Sequence, residues 1–326
     1  MALEQLVIGI DLGGTKIHTA LVDGSGRIVL HDHRETQASE GRQAVLNRML
    51  AASRRIKAQA EAAGTPVAAV GIGSPGPLDV TQGVVLNPPN LPGWNGVPLK
   101  RLIEEGLGLP AFLENDANAA ALGEHRFGAG RGVAHMIYVT AGTGIGGGLI
   151  LDGKLYHGAA GMAGEIGHMT ILPNGPLCGC GNRGCLEAMA SGRAIAQRAQ
   201  ERLTRAVPAR MAALVAGDPQ RITAELVTEA AKQGDDEAQE ILSEALSYLG
   251  IGMANLVNLF NPQLIVIGGG LTNLGETLFD TVRRAIDRHA LAGPAQAVRV
   301  MPAELADNVG VLGAAALALM QAGESP

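Results

Sequence analysis

One feature constrains this chain more than any other. A short apolar run breaks at a cluster of glycines and resumes as a second strand, and it does so twice. In the first copy Leu6 to Ile10 runs into Asp11-Leu-Gly-Gly-Thr-Lys16, continues as Ile17 to Val22, and reaches a hairpin turn at Asp23-Gly-Ser-Gly26. In the second, Met136 to Val139 leads into a Gly-rich loop over Thr140 to Gly148, then Leu149 to Leu151 and the turn Asp152-Gly153. Strand, glycine turn, strand, hairpin is a unit that needs a sheet around it, and its repetition marks a chain duplicated in architecture.

The rest of the pattern supplies helices to cover two such sheets. Apolar residues at helical spacing predict helices over Gln43–Ala63, Pro98–Gly106, Asn115–Phe127, Thr277–His289 and Gly310–Ala322. Residues 191–260 read as mostly helical, with breaks at Pro208 and Gly217-Asp-Pro219. Buried-type strands are expected at Val67–Ile72, leading into Gly73-Ser-Pro-Gly-Pro77, at Ala111–Leu113, and at Leu264–Ile267 before the turn Gly268-Gly-Gly270. Strands alternating with helices define an α/β protein. At 326 residues, the length suits about two domains of the usual ~150.

Composition narrows the partners. A formal charge of −6 argues against nucleic acid or a membrane surface as the principal partner. No apolar run approaches the ~20 residues of a membrane span, and the start Met-Ala-Leu-Glu-Gln lacks a secretory pattern. A cytoplasmic protein is therefore expected. The three cysteines, Cys178, Cys180 and Cys185, fall within eight residues. An odd, tight cluster fits metal ligation in a reducing compartment better than a disulfide framework.

Four segments carry chemistry. Paired glycines in Asp11-Leu-Gly-Gly-Thr-Lys16 can turn backbone N–H groups toward phosphate oxygens, although a bulged hairpin would use the same residues, and Asp11 can hold Mg²⁺ through water. Gly142-Thr-Gly-Ile-Gly-Gly147 matches the dinucleotide fingerprint in letters only, because a strand rather than a helix follows. No Walker sequence occurs. Gly268, Gly269 and Gly270 form a third place for close backbone approach. At the strand-to-helix junction, Glu114-Asn115-Asp116 suits helix capping and also places an Asp where it can accept a proton from a hydroxyl. The last segment is the most specific. Glu165 and His168 precede Cys178, Cys180, Cys185 and Glu187, and one imidazole with three thiolates matches a closed structural Zn²⁺ site.

Taken together these segments resemble the ROK group (repressors, open reading frames and kinases) of the actin–hexokinase superfamily. The resemblance covers nearly the whole chain. Gly142 to Gly148 with Gly158, Gly161 and Glu165-Ile-Gly-His168 is similar to the family signature, and the Cys178 to Glu187 segment to its zinc motif. Ser74-Pro-Gly-Pro-Leu78, Asn90-Leu-Pro-Gly-Trp94 and Glu114-Asn-Asp-Ala-Asn118 resemble the bacterial ATP-dependent glucokinases within the group.

The resemblance implies two ribonuclease-H-like α/β domains with an active-site cleft between them, one of residues 1–116 plus 310–326 and one of residues 117–309. It implies phosphoryl transfer from ATP to glucose, with Asp116 as catalytic base and with Asn90, Asn115, Asp116, Glu165, His168 and Glu187 on the sugar. Asp11, Gly13, Gly14, Thr15, Lys16, Gly142, Thr143, Gly144 and Gly268 to Gly270 would serve the nucleotide and Mg²⁺, and His168, Cys178, Cys180 and Cys185 the Zn²⁺. Glu187 is expected to act on the sugar and leave the Gly142–Gly148 loop untouched. A homo-oligomer, dimer or tetramer, is expected. Other readings are a kinase for N-acetylmannosamine, mannose or fructose, a sugar sensor without catalysis, and a repressor, the last disfavoured because the first glycine loop begins at residue 11.

Overall fold

The computed structural model describes residues 5–205 and 209–323. Its strands are β1 (Leu6–Leu12), β2 (Lys16–Val22), β3 (Ile28–Glu35), β4 (Val67–Ser74), β5 (Leu78–Asp79), β6 (Val84–Val85), β7 (Ala111–Asn115), β8 (Met136–Ala141), β9 (Ile145–Leu151), β10 (Lys154–Leu155), β11 (Leu264–Gly268) and β12 (Arg299–Pro302). The helices are α1 (Arg42–Ala62), α2 (Leu99–Leu107), α3 (Asp116–Phe127), α4 (Leu186–Ala190), α5 (Gly192–Arg205), α6 (Ala209–Leu214), α7 (Ala224–Lys232), α8 (Asp236–Phe260), α9 (Glu276–His289), α10 (Ala292–Ala297) and α11 (Val309–Gly323).

The two large sheets have the same strand order. One runs β3-β2-β1-β4-β7 and the other β10-β9-β8-β11-β12, while β5 and β6 form a small separate hairpin. In the first sheet β1 pairs antiparallel with β2 and parallel with β4, which pairs parallel with β7. In the second, β11 lies parallel to both β8 and β12. The duplication read from the glycine loops is thus a duplication of topology.

The chain forms two compact units. The first contains residues 1–134, 148–163 and 303–326, and the second residues 135–147 and 164–302. The second domain is expected to begin at residue 117, whereas α3 and the segment after it group with the first unit. The reason is packing. Helix α11 lies on β1, β4 and α3, and the approach is closest at glycine: a Cβ at Gly71 would fall on the Ala314 carbonyl, and one at Gly313 on the Ala119 carbonyl. On the other face of this sheet α1 buries Val45, Met49 and Ile56 against Ile8, Ile10 and Ile17.

Several boundaries move. Strand β9 begins at Ile145, inside the stretch read as loop, because its glycines let neighbours pack directly on the backbone: Gly147 lies under Ile166 and Gly148 under Ala121. The helical stretch also breaks between α7 and α8, where Asp235 caps α8 by accepting from Ala238 N–H at 3.0 Å. The break expected at Pro208 lies outside the described residues. Strand β12 and helix α10 were not anticipated. No helix, among the described residues, is long and apolar enough to cross a membrane.

Candidate active site

In the first unit the chemistry gathers where β1, β4 and β7 end. Strand β1 ends in Asp11-Leu12 and the turn to β2 closes through Gly13 N–H donating to the Lys16 carbonyl at 2.9 Å. That amide is spent on the turn. Thr36, fully buried, pins the turn from outside: its Oγ1 donates to the Gly13 carbonyl at 2.7 Å and its N–H to the Thr15 carbonyl at 2.7 Å. No sequence pattern marks Thr36. Gly14 faces Asn90, whose Cβ lies 2.8 Å from where a Cβ on Gly14 would stand.

The Glu114-Asn115-Asp116 junction caps α3. Asn115 is the N-cap of α3, its Oδ1 accepting from Ala117 N–H at 2.9 Å and Asn118 N–H at 3.4 Å. Its Nδ2 faces Gly76, 3.3 Å from where a Cβ would stand there. Asp116 opens the helix with Oδ1 2.8 Å from Ala117 N, where the positive end of the helix favours a carboxylate. Burial, then the Asp116 carboxylate, push Asp11 up to about 7. Two carboxylates crowded in this way favour a cation beside them.

Glu114 is buried and makes three contacts. Its Oε1 accepts from Asn115 N–H at 2.9 Å and Asn118 Nδ2 at 3.0 Å, and its Oε2 lies 2.7 Å from His157 Nε2. The hydrogen bond that His157 donates to Glu114 favours its charged ring, raising its pKa against the opposing effect of burial. His157, forty-three positions along the chain, left no signal in the sequence.

In the second unit the cysteine segment folds back on itself. Cys178 N–H donates to the Asn182 carbonyl at 2.7 Å, Leu177 bridges Arg183, and Thr170 bridges Cys185. Gly184, at φ 65°, lies so close to Leu172 that a Cβ would fall on its carbonyl. One donor atom from each of His168, Cys178, Cys180 and Cys185 lies within 4.8 Å of the others. Cys178 Sγ is 3.7 Å from His168 Nδ1, and Cys180 Sγ is 3.7 Å from Cys185 Sγ. Tetrahedral Zn–S bonds of ~2.3 Å would place sulfurs about 3.8 Å apart, so the donor set fits such an ion. Burial, then hydrogen bonding with Cys180 and Cys178, push the Cys185 thiol up to about 12. Burial likewise raises Cys178, and a bound cation would relieve this cost.

Cys185 is also the residue from which α4 starts, and Glu187 stands in its first turn. Glu187 Oε2 accepts from Ile145 N–H at 3.0 Å and lies directly against Gly144. The expectation that Glu187 leaves the Gly142–Gly148 loop untouched is therefore corrected: its carboxylate is part of that loop's support. Gly142 N–H closes the loop on the Gly144 carbonyl at 3.0 Å, as Gly13 does in the first copy. The N-terminus of α5 holds it from behind, Gly192 N–H donating to the Gly142 carbonyl at 2.8 Å and Arg193 N–H to that of Thr143 at 3.2 Å. Gly269, at φ 88°, sits on the Ala141 backbone, and a Cβ on Gly142 would lie 3.6 Å from Gly270 N. Gly268 ends β11. Glu165 is exposed, its Oε2 4.0 Å from His168 Nε2.

Two sheets of one topology, each with a glycine loop after its first strand, define a protein of the actin–hexokinase fold. The ROK family model matches residues 7–321, and the chain belongs to that family. It is 39% identical to a glucokinase of Thermotoga maritima over 311 residues, 95% of this chain and 96% of the relative. A ROK family glucokinase from Streptomyces griseus, solved with glucose and AMPPNP, superposes with a TM-score of 0.80 at 40% identity, covering 97% of this chain and 99% of that one. A putative xylose repressor of Caldicellulosiruptor sp. is 36% identical over 96% of this chain and 78% of its own length.

Proposed function

We propose that this chain is a glucokinase, transferring the γ-phosphoryl group of ATP to the 6-hydroxyl of glucose. The observation that carries the reading is the position of Asp116 as the first residue of α3, directly after β7, where a carboxylate can serve as base. Near-full-length similarity to glucokinases on both sequence and structure supports it.

In this mechanism the Asp116 carboxylate accepts the proton of the 6-hydroxyl as its oxygen attacks the γ-phosphorus and ADP departs. Asn115 is fixed by its capping bonds, which leave its Nδ2 to donate to a sugar oxygen. Glu187, tied to Ile145 through Oε2, offers Oε1, which lies 4.0 Å from Cys178 Sγ, as an acceptor for a sugar hydroxyl. Glu165, His168 and Asn90 supply the remaining sugar contacts. The glycine loops and Lys16 take the phosphates. Asp11 would hold Mg²⁺, which supplies neutralising charge for the phosphates. His168 Nδ1 and the three cysteine sulfurs would hold Zn²⁺, which supplies a crosslink that orients the His168 ring and the start of α4.

A coupled ATP assay across a hexose panel tests the reading. Glucose should be turned over with the highest kcat/KM, because buried polar groups left without their hydroxyl are expensive. A higher value for mannose or N-acetylmannosamine would keep the kinase and replace its substrate. No turnover with any hexose would return the chain to the repressor or sensor branch of the family. The reading also includes a cytoplasmic setting and a homo-oligomer, which light scattering of the purified protein checks.

A further inference from the structure

A second cluster of metal-type donors lies in the first unit, on residues the proposed kinase site does not use. His18 stands on β2, and His31 and His33 on β3, the edge strand of the first sheet. His18 pairs with His33 across the ladder, and His31 is two positions from His33, so all three side chains share one face. The rings gather tightly. Those of His18 and His33 stack with centroids 3.7 Å apart, and that of His31 stands edge-on to them at 6.0 Å and 5.2 Å. One ring nitrogen from each lies within 4.8 Å of the others.

An independent observation points to a ligand. His18 is only 5% exposed, and its Nε2 has no hydrogen-bond partner. Buried polar atoms in folded proteins are nearly always satisfied, and an orphan calls for an absent partner. His31 and His33 are exposed, free to turn and close on an ion. Asp32 and Arg34 alternate to the opposite face, where Asp32 is engaged by Arg34 and Arg55, so no carboxylate from between the histidines enters the set.

We infer that His18, His31 and His33 form a second metal site, binding one divalent transition cation of the nickel, copper or zinc type with water in its remaining positions. Three imidazoles without carboxylate select such ions over Mg²⁺ or Ca²⁺. The nitrogens lie within 4.8 Å of one another, and tetrahedral bonds of ~2.0 Å would set them ~3.3 Å apart, a closure to which rotation of the two exposed rings can contribute. A bound ion would staple the edge strand β3 to β2.

Titration of the purified full chain with NiCl₂, followed by calorimetry and absorption spectroscopy, tests this. One binding event without a thiolate-to-nickel charge-transfer band is expected. The event should weaken at least 10-fold in the double variant His31→Asn/His33→Asn and persist in Cys180→Ser. Both histidines are exposed, so the variant should match the native chain in circular dichroism and in phosphoryl transfer. The single variant His33→Gln gives the same reading if the double one misfolds. MgCl₂ should give no competing event. Absence of the event from the native chain, its survival in the histidine variants, or its loss in a folded Cys180→Ser would each overturn the site.

Discussion

His157 Nε2 lies 2.7 Å from Oε2 of the buried Glu114, whose other oxygen holds the amide of Asn115. A surface imidazole therefore braces, through one carboxylate, the backbone that leads into Asp116. The pKa of His157 is raised above its unfolded value by this bond. Its contribution to stability is full below about 6.5, the unfolded value, and is lost as pH rises through the higher folded value. His157→Ala should lower Tm more at pH 6 than at pH 9, and thermal melts of both proteins across that range check the sign. A pH-independent difference would place the contribution in packing.

Asp116→Asn should reduce kcat by roughly 10²–10⁴-fold while calorimetry still detects glucose. The amide keeps the shape of the side chain and its place at the start of α3, and only the proton acceptor is gone. Retention of a third of the native rate would remove Asp116 from the role of base.

Elemental analysis of the purified chain should find about one Zn²⁺ tightly held by the cysteine cluster. Cys185→Ser should lose metal, thermal stability and turnover together, because Cys185 would be a donor and is the residue from which α4 starts. A metal-free chain with native activity would contradict this.

Glu187→Ala should raise the KM for glucose and the KM for ATP together, each on the order of 10-fold. One carboxylate oxygen supports Ile145 in the glycine loop, and the other is assigned to the sugar. A change confined to glucose would mean that the loop keeps its shape without Glu187.

Gly71→Ala should destabilise the chain by about 2 kcal/mol or more, since the added methyl would fall on backbone at Ala314, where no side chain can turn aside. Chemical denaturation measures it. Gly24→Ala, which meets nothing within 4 Å, is the control.

What the sequence revealed and what it withheld follow from how local each signal is. The strands flanking Asp11 to Lys16, the capping role of Asn115 and the cysteine spacing are written within a dozen residues of themselves, and all three were readable. The strand character of Ile145 to Gly148 was hidden, because glycine carries no β pattern and its reason lies in Ile166 and Ala121 overhead. Thr36, His157 and the bond from Ile145 to Glu187 belong to contacts between distant segments. No periodicity records a contact of that kind. His31 and His33 show only an alternation common to any exposed strand, and their meeting with His18 depends on the register of β2 against β3.

Helix α11 covers one face of β1 and β4, yet the ribosome makes it after every residue of the second unit. The glycine-lined face of the first sheet, with Gly9 and Gly71 at its centre, thus lacks this helix while some two hundred further residues are synthesised at ~5–20 per second. The second unit, whose main segment is continuous from Gly164 to Pro302, can close first. The part of the molecule born first is the part finished last.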